Sequence, residues 1–328
     1  MGQDSKIEWC HDTFNGWYGC SKVSPACKNC YAVRSAARLG VKWGDSAVRR
    51  PASERSWEQP LIWNRRAQRN KTRRRVFCSS LSDVFEQRSE LVPLRARLFK
   101  LIEDTEHLDW LLLTKRPEHV MSLVPDHWKK RNVGFPPNVW LGTTVENQET
   151  ADERIPHLLR TPANVHFLSC EPLLEPLDLR KWLGMVLESN DGRWLSQPLD
   201  HQVIPGAGGI WRYGVDWVIA GGESGPGARA VHPDWVRSIR DQCIEAPTAV
   251  PFFFKQWGEY LPHDQKGRLV SRRMRVLPIA KQRHAFEGDA YAAKVGKKNA
   301  GRTIDGRQWS EFPKQATMFG SSQQEQRA

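Results

Sequence analysis

Three of the seven cysteines fall within eleven residues, in Gly19-Cys20-Ser21-Lys22-Val23-Ser24-Pro25-Ala26-Cys27-Lys28-Asn29-Cys30-Tyr31-Ala32, a C-x6-C-x2-C spacing. Three thiolates on one loop can hold three irons of a [4Fe-4S] cluster and leave the fourth iron open to a small molecule. A structural zinc ion asks for four ligands and a closed shell, and Cys10 or His11 could supply the fourth. A chance group of buried cysteines is the third reading. The seven lie unevenly at 10, 20, 27, 30, 78, 170 and 243. An odd, uneven set in a reducing compartment reads as metal binding before it reads as disulfide pairing.

Other reactive side chains recur where short apolar runs end. Val76-Phe77-Cys78 leads into Ser79-Ser80-Leu81-Ser82-Asp83, and Leu108 to Leu113 into Thr114-Lys115-Arg116. Asn138 to Leu141 leads into Gly142-Thr143-Thr144-Val145-Glu146, and Val165 to Leu168 into Ser169-Cys170-Glu171. Val215 to Ala220 leads into Gly221-Gly222-Glu223-Ser224, and Val250 to Phe254 into Lys255-Gln256. Cys170 could donate a hydrogen atom or hold a substrate covalently, with Glu171 as acid or base and Lys255 completing a candidate catalytic set. The plainer alternative is a small buried residue beside a structural carboxylate. Ser80, Asp83, Lys115, Thr143, Glu146, Ser169, Gly221, Gly222, Glu223 and Ser224 are the candidate cofactor-binding residues. Glycine would let the backbone approach a ligand closely, and Glu223 could accept from an amino or ribose hydroxyl group. Lys115-Arg116 and Lys255-Gln256 suit a carboxylate or phosphate, with simple salt bridges as the alternative. Cys78 and Cys243 read as inert core residues.

Short continuous apolar runs are what strands of a buried parallel sheet look like. Leu91 to Ile102, Asn147 to Leu159 and Pro233 to Ile244 carry apolar residues at helical spacing between them. Strand–helix alternation on this scale leaves a (β/α) barrel or a doubly wound sheet. A doubly wound sheet gathers its site at one switch point, whereas barrel sites draw on the carboxyl ends of many strands. Polar residues close all six runs, so the expected fold is α/β, a partial (β/α) TIM-type barrel over residues 1–260. Residues 183–212 or thereabouts read as an insertion and candidate lid. Residues 261–315 are expected to form a basic C-terminal extension packing on the barrel, and 316–328 a disordered tail.

The chain has 49 Lys and Arg against 37 Asp and Glu, a formal charge of +12. Between Arg49 and Arg75 lie Arg50, Arg55, Arg65, Arg66, Arg69, Lys71, Arg73 and Arg74, with Trp57 and Trp63 interleaved. A second basic stretch runs from Lys266 to Arg307. Stretches 49–75 and 266–307 suit the phosphate backbone of a nucleic acid, with the tryptophans able to stack on bases. A solvated basic surface is the alternative, because neighbours in sequence need not be neighbours in space. No apolar run approaches the roughly 20 residues needed to cross a bilayer. The start, MGQDSKIEWC, lacks the apolar core of a signal peptide. The expected address is cytoplasmic, with no membrane partner.

The stretch Trp9-x4-Phe14-Asn15-x-Trp17-x-Gly19-Cys20-x-Lys22-Val23-Ser24-x2-Cys27-x-Asn29-Cys30-Tyr31-Ala32 resembles the opening of the phage Gp37/Gp68 family, the DUF5131 proteins. The likeness continues in order through Leu113-Thr114-Lys115-Arg116-Pro117, Asn138 to Gly142, Phe167 to Leu174, Gly221 to Arg229, Pro251 to Glu259 and Ala300 to Pro313. That family resembles radical S-adenosylmethionine (SAM) enzymes in its barrel and in a three-cysteine loop after the first strand. The resemblance implies a [4Fe-4S] cluster on Cys20, Cys27 and Cys30, with SAM chelating the open iron and yielding a 5′-deoxyadenosyl radical on reduction. It also implies an electron donor, a reductase or flavodoxin-type protein.

Three departures stand out. The common radical SAM loop is C-x3-C-x2-C, and this loop has three more residues between its first two thiols. The residue before the last cysteine is often aromatic there, and here it is Asn29; Cys10 also stands where the family is expected to carry Thr. Phage kinship and positive charge together imply nucleic acid or a modified nucleotide as substrate, with remodelling of a phage DNA base as one such task. The rival readings are a zinc-stabilised nucleic-acid-binding protein without catalysis and an Fe–S DNA-processing protein that does not use SAM.

Overall fold

A computed structural model describes residues 2–130, 134–188, 210–268, 283–287 and 290–314. The six apolar runs all form strands, and a seventh precedes them. In chain order they are β1 (Asp12–Phe14), β2 (Arg74–Cys78), β3 (Leu108–Thr114), β4 (Val139–Thr144), β5 (Val165–Cys170), β6 (Trp217–Gly221) and β7 (Phe252–Gln256). They make one sheet in which every neighbouring pair is parallel and the spatial order is the chain order. A doubly wound sheet reverses direction at a switch point. This one never reverses; it is a curled half-barrel with β1 and β7 at its edges.

Among the described residues five helices longer than two turns connect the strands: α1 (Tyr31–Arg38), α2 (Glu54–Arg69), α3 (Val92–Glu103), α4 (Gln148–Leu159) and α5 (Pro233–Glu245). The start of α4 is fixed by a reciprocal cap. Asn147 Oδ1 accepts from the Thr150 amide at 3.1 Å, and Thr150 Oγ1 accepts from the Asn147 amide at 3.3 Å. In α2 the buried face is Trp57, Pro60, Trp63 and Ala67. Both tryptophans expected to stack on bases are therefore core residues, because helical spacing turns them inward while Arg55, Arg65 and Arg69 of the same helix turn out.

Strand side chains alternate between two layers. Val76, Cys78, Leu112, Leu141, Leu168 and Cys170 pack towards the helices. Phe77, Leu111, Trp140, Phe167, Trp217 and Phe253 meet on the other, concave face together with Trp9 and Cys10. The concave packing is aromatic and tight. Trp217 stands edge-on to Trp140 at 6.0 Å and to Phe253 at 6.1 Å, and a side chain at Gly142 would come within 2.5 Å of the Phe167 ring.

The C-terminal extension covers the β7 edge. Phe254 N donates to Trp309 O at 3.0 Å, Glu311 N to Phe252 O at 3.2 Å, and Phe312 lies 5.2 Å from Trp217 on the concave side. An edge strand left bare would offer unpaired backbone groups. Beyond β7 the segments Tyr260–Pro262, Arg283–Ala285 and Tyr291–Lys294 form a small antiparallel sheet. Met185–Glu188 pairs with Ile210–Tyr213 as an antiparallel ribbon, and the residues between, where the lid was expected, lie outside the described residues, as does the tail 316–328. No described helix is long and apolar enough to cross a membrane.

Candidate functional site

The chain leaves β1 and carries the cysteine loop across the carboxyl ends of the other strands. Buried carboxylates hold it at three places, each beside a cysteine. Next to Cys20, Ser21 Oγ donates to Glu86 Oε1 at 2.7 Å, and Arg116 Nη2 donates to Ser21 O at 3.1 Å. Next to Cys27, the Ala26 amide donates to Glu146 Oε1 at 3.1 Å. Next to Cys30, Asn29 Nδ2 donates to Glu223 Oε2 at 3.1 Å and to Gly227 O at 2.7 Å.

An arginine backs each carboxylate. Arg49 Nη2 lies 2.6 Å from Glu86, Arg154 Nη1 3.0 Å from Glu146 and Arg229 Nη2 2.5 Å from Glu223. Burial opposes ionisation of Glu86 and Glu223. The hydrogen bonds from Arg49 and Ser21, and from Arg229 and Asn29, outweigh it and hold both carboxyls below their usual range.

Arg116 reaches the thiol itself. Its Nη1 lies 3.7 Å from Cys20 Sγ and 3.1 Å from Asp83 Oδ2. Burial, reinforced by the Asp83 carboxylate and opposed by Arg116, pushes the Cys20 thiol up to about 12. None of the seven cysteines is in a disulfide. Cys20, Cys27 and Cys30 keep partial exposure, whereas Cys10, Cys78, Cys170 and Cys243 are buried. Three free, partly exposed thiols on one anchored loop are the type of donor that an iron–sulfur cluster takes. Among the described residues no three His, Cys, Asp or Glu side chains are gathered closely enough to hold a single metal ion. Of the proposed fourth zinc ligands, His11 Nδ1 accepts from the Arg75 amide at 2.8 Å and Cys10 is buried in the concave face.

Below the loop, strand alternation lines the mouth with polar groups. Lys115 Nζ lies 3.2 Å from Thr144 Oγ1. Lys255 Nζ donates to both Glu171 oxygens at 2.9 Å, and Gln256 Nε2 donates to Ser224 Oγ at 2.7 Å and Glu171 Oε1 at 3.3 Å. Gln256 Oε1, buried beside the pair, has no partner among the described residues. Ser169, one residue from Cys170, takes the concave side of β5. Ser80 closes the ring: its hydroxyl accepts from Asn15 Nδ2 at 3.1 Å and its carbonyl from Tyr31 OH at 3.0 Å.

Several expected roles are reassigned by these contacts. Cys170 points to the helix layer, fully buried, with its thiol pushed up by burial; the period of two that brings Ser169 and Glu171 to the mouth sends Cys170 away from it. Thr143 likewise sits off the mouth, and its hydroxyl donates to Thr114 O at 2.9 Å. Asp83 is engaged by Thr114, Lys115 N and Arg116, and Glu146 and Glu223 hold the loop. The glycine loop's close approach is intramolecular. A Cβ at Gly222 would stand 2.1 Å from Trp257 O, and one at Gly221 3.3 Å from Glu171. Glu86 and Arg154 belong to the site although no motif marked them, and Arg49, Asn29, Thr144 and Arg229 belong to it although the stretches that contain them gave no reason to choose them. Their partners in the carboxylate anchors are 6 to 194 residues away in the chain.

The residues that build this mouth are those of a described family. The model for "Protein of unknown function (DUF5131)" matches residues 4–313. The chain belongs to the DUF5131 family. No curated protein and no solved structure matches it. The match spans β1 through the extension over the β7 edge, so in this DUF5131 protein the cysteine loop, its three anchors and the strand ends all fall within the family region.

Proposed function

We propose that this DUF5131 protein is a radical SAM-type iron–sulfur enzyme acting on nucleic acid or a modified nucleotide. The observation that carries the reading is the contrast among the cysteines: those of the C-x6-C-x2-C loop are accessible and held over the strand ends, and the other four are buried. When bound, a [4Fe-4S] cluster with SAM at its open iron would supply a carbon-centred radical.

The chain's own residues do the rest. Cys20, Cys27 and Cys30 are the ligands, and Glu86, Glu146 and Glu223 position them. Lys115, whose partner is a hydroxyl rather than a carboxylate, offers a cation to a carboxylate or phosphate. Glu171 and Lys255, paired at 2.9 Å, can hold or pass a proton at the carboxylate oxygens. The aromatic floor beneath them keeps water from entering from below. The electron would come from a reductase or flavodoxin-type donor, and the charge of +12 supports a polyanionic substrate.

Iron and sulfide counting on anaerobically purified protein tests the reading. The expected result is about four irons and four sulfides per chain, lost in Cys27→Ala. Stoichiometric zinc without iron contradicts it and leaves a nucleic-acid-binding protein without this chemistry.

A further inference from the structure

We propose that a single-stranded nucleic acid docks on the outer rim of the cysteine loop, along α1, and not on the basic stretch 49–75. The location goes beyond the catalytic reading; only the choice of a nucleic acid rests on it.

Part of the basic stretch is engaged inside the protein, and its other cations, Arg55, Arg65, Arg66, Arg69 and Lys71, have no exposed ring beside them in that stretch. Arg49 is buried against Glu86, Arg73 pairs with Asp109 at 2.7 Å and Arg74 with Asp12 at 2.7 Å. The Arg75 guanidinium lies 3.9 Å from the centre of the Phe312 ring. Trp57 and Trp63, the rings that would stack on bases, are in the core.

The rim joins exposed cations to an exposed ring. Lys22, Lys28, Arg34, Arg38 and Lys42 are all exposed, and none forms an ion pair among the described residues. Between Gly19 and Arg50 the sequence has one acid, Asp45. Uncompensated cations crowded on one segment repel one another, and a polyanion relieves that repulsion by displacing its own counterions.

Helical spacing orders the rim. Tyr31, Arg34 and Arg38 stand at i, i+3 and i+7 of α1, all exposed, so they form one stripe. The stripe begins in the mouth. Tyr31, 44% exposed, is tethered by its hydroxyl to Ser80 O at the end of β2. The Arg34 guanidinium lies against Gly225 of the glycine loop, so close that a side chain there would collide with it.

An aromatic face at the mouth followed by guanidinium groups leading away matches what a single strand presents: a base to stack and phosphates to pair. A base inside a duplex cannot reach a recessed site without leaving the stack. An acidic protein would meet the cations equally well but gives no role to the tethered ring, so the strand is the better fit.

The test is fluorescence anisotropy of the full chain with a labelled single-stranded oligonucleotide across a salt series. A Lys28→Glu/Arg34→Glu/Arg38→Glu variant is compared with Arg65→Glu/Arg66→Glu/Arg69→Glu on α2, which carries the same change of charge. The rim variant should bind at least about tenfold more weakly and flatten the log K against log salt slope by about 2, at roughly 0.7 per lost phosphate contact. The α2 variant should stay within about twofold of the parent. Tyr31→Ala should weaken binding at least about fivefold with the slope unchanged, as loss of stacking without charge predicts.

Equal losses in both triple variants, a larger loss on α2, or no binding by the parent chain at low salt would overturn the proposal. So would competition for the rim by an acidic flavodoxin-type protein in the absence of oligonucleotide affinity. Cys27→Ala separates the two readings. If it loses iron and keeps oligonucleotide affinity, the docking surface stands whatever the cluster does.

Discussion

The concave face of the half-barrel has two ends made by the same strands, and they differ in kind. At the floor, Trp9, Trp140, Trp217, Phe167 and Phe253 pack ring against ring, and Phe312 comes in from the extension. At the mouth, two or four residues further along the strands, the side chains are Lys115, Thr144, Ser169, Glu171 and Lys255, roofed by the cysteine loop and its carboxylate–arginine anchors. Burying an ion pair such as Arg154–Glu146, with exposures of 5% and 0%, carries a desolvation cost that its attraction barely repays. Packing rings has no such cost. The floor therefore stabilises the fold, and the mouth holds groups in place at some expense to stability. Substitutions at the two ends should separate along that line.

The largest effect belongs to the floor. Trp217→Ala should lower unfolding free energy by about 3–5 kcal/mol in a denaturant titration, while iron content, measured on the folded fraction, stays at the parent level. A loss of iron at intact stability would reverse the comparison.

Acid should act next at the amino end of β5, on its helix side. Burial lowers His166 from 6.5 to about 4, opposed by its hydrogen bond with Thr161, so the folded chain keeps it neutral while the unfolded chain protonates it. Its contribution is fully present above about pH 6.5 and is lost as pH falls towards 4, by about 3 kcal/mol at most. The difference in denaturation midpoint between parent and His166→Gln should shrink over that range. A difference independent of pH would remove His166 as its source.

Glu223→Gln is a mouth substitution with a smaller effect on stability, about 1.5–3 kcal/mol from weakened charged hydrogen bonds. Iron occupancy should fall with it, because Asn29 and Arg229 lose their shared carboxylate. Unchanged occupancy would mean the loop does not depend on this anchor.

The smallest effect is expected from Cys170→Ala. With its thiol in the helix layer, stability should change by about 1 kcal/mol or less and iron content not at all. Lost activity in a folded, iron-replete Cys170→Ala protein would restore the residue to the mouth.

Much of this architecture can be read from the sequence, for identifiable reasons. Strands β2 to β7 announce themselves because a sheet covered on both faces needs apolar residues at every position. β1 does not: it is the three residues Asp-Thr-Phe, and its Asp12 is buried only because Arg74, 62 residues away, neutralises it. α1 and α2 are hidden by their arginines, which dominate composition and mask the buried spacing of Trp57, Pro60, Trp63 and Ala67. The cysteines and the polar strand ends are legible by type and position. Which face each takes is not, and Cys170 and Thr143 fall on the far side of the alternation. The anchors at Glu86, Glu146 and Glu223 join residues 65, 120 and 194 apart, contacts that no local pattern encodes.

The central claim is that the accessible cysteines hold a cluster with an open iron at which SAM binds. The most direct test is EPR of the anaerobically purified, reduced protein with and without SAM. The account predicts a cubane signal that shifts on adding SAM and is absent from Cys27→Ala. A colourless, EPR-silent protein holding zinc, or a cluster signal indifferent to SAM, would contradict it.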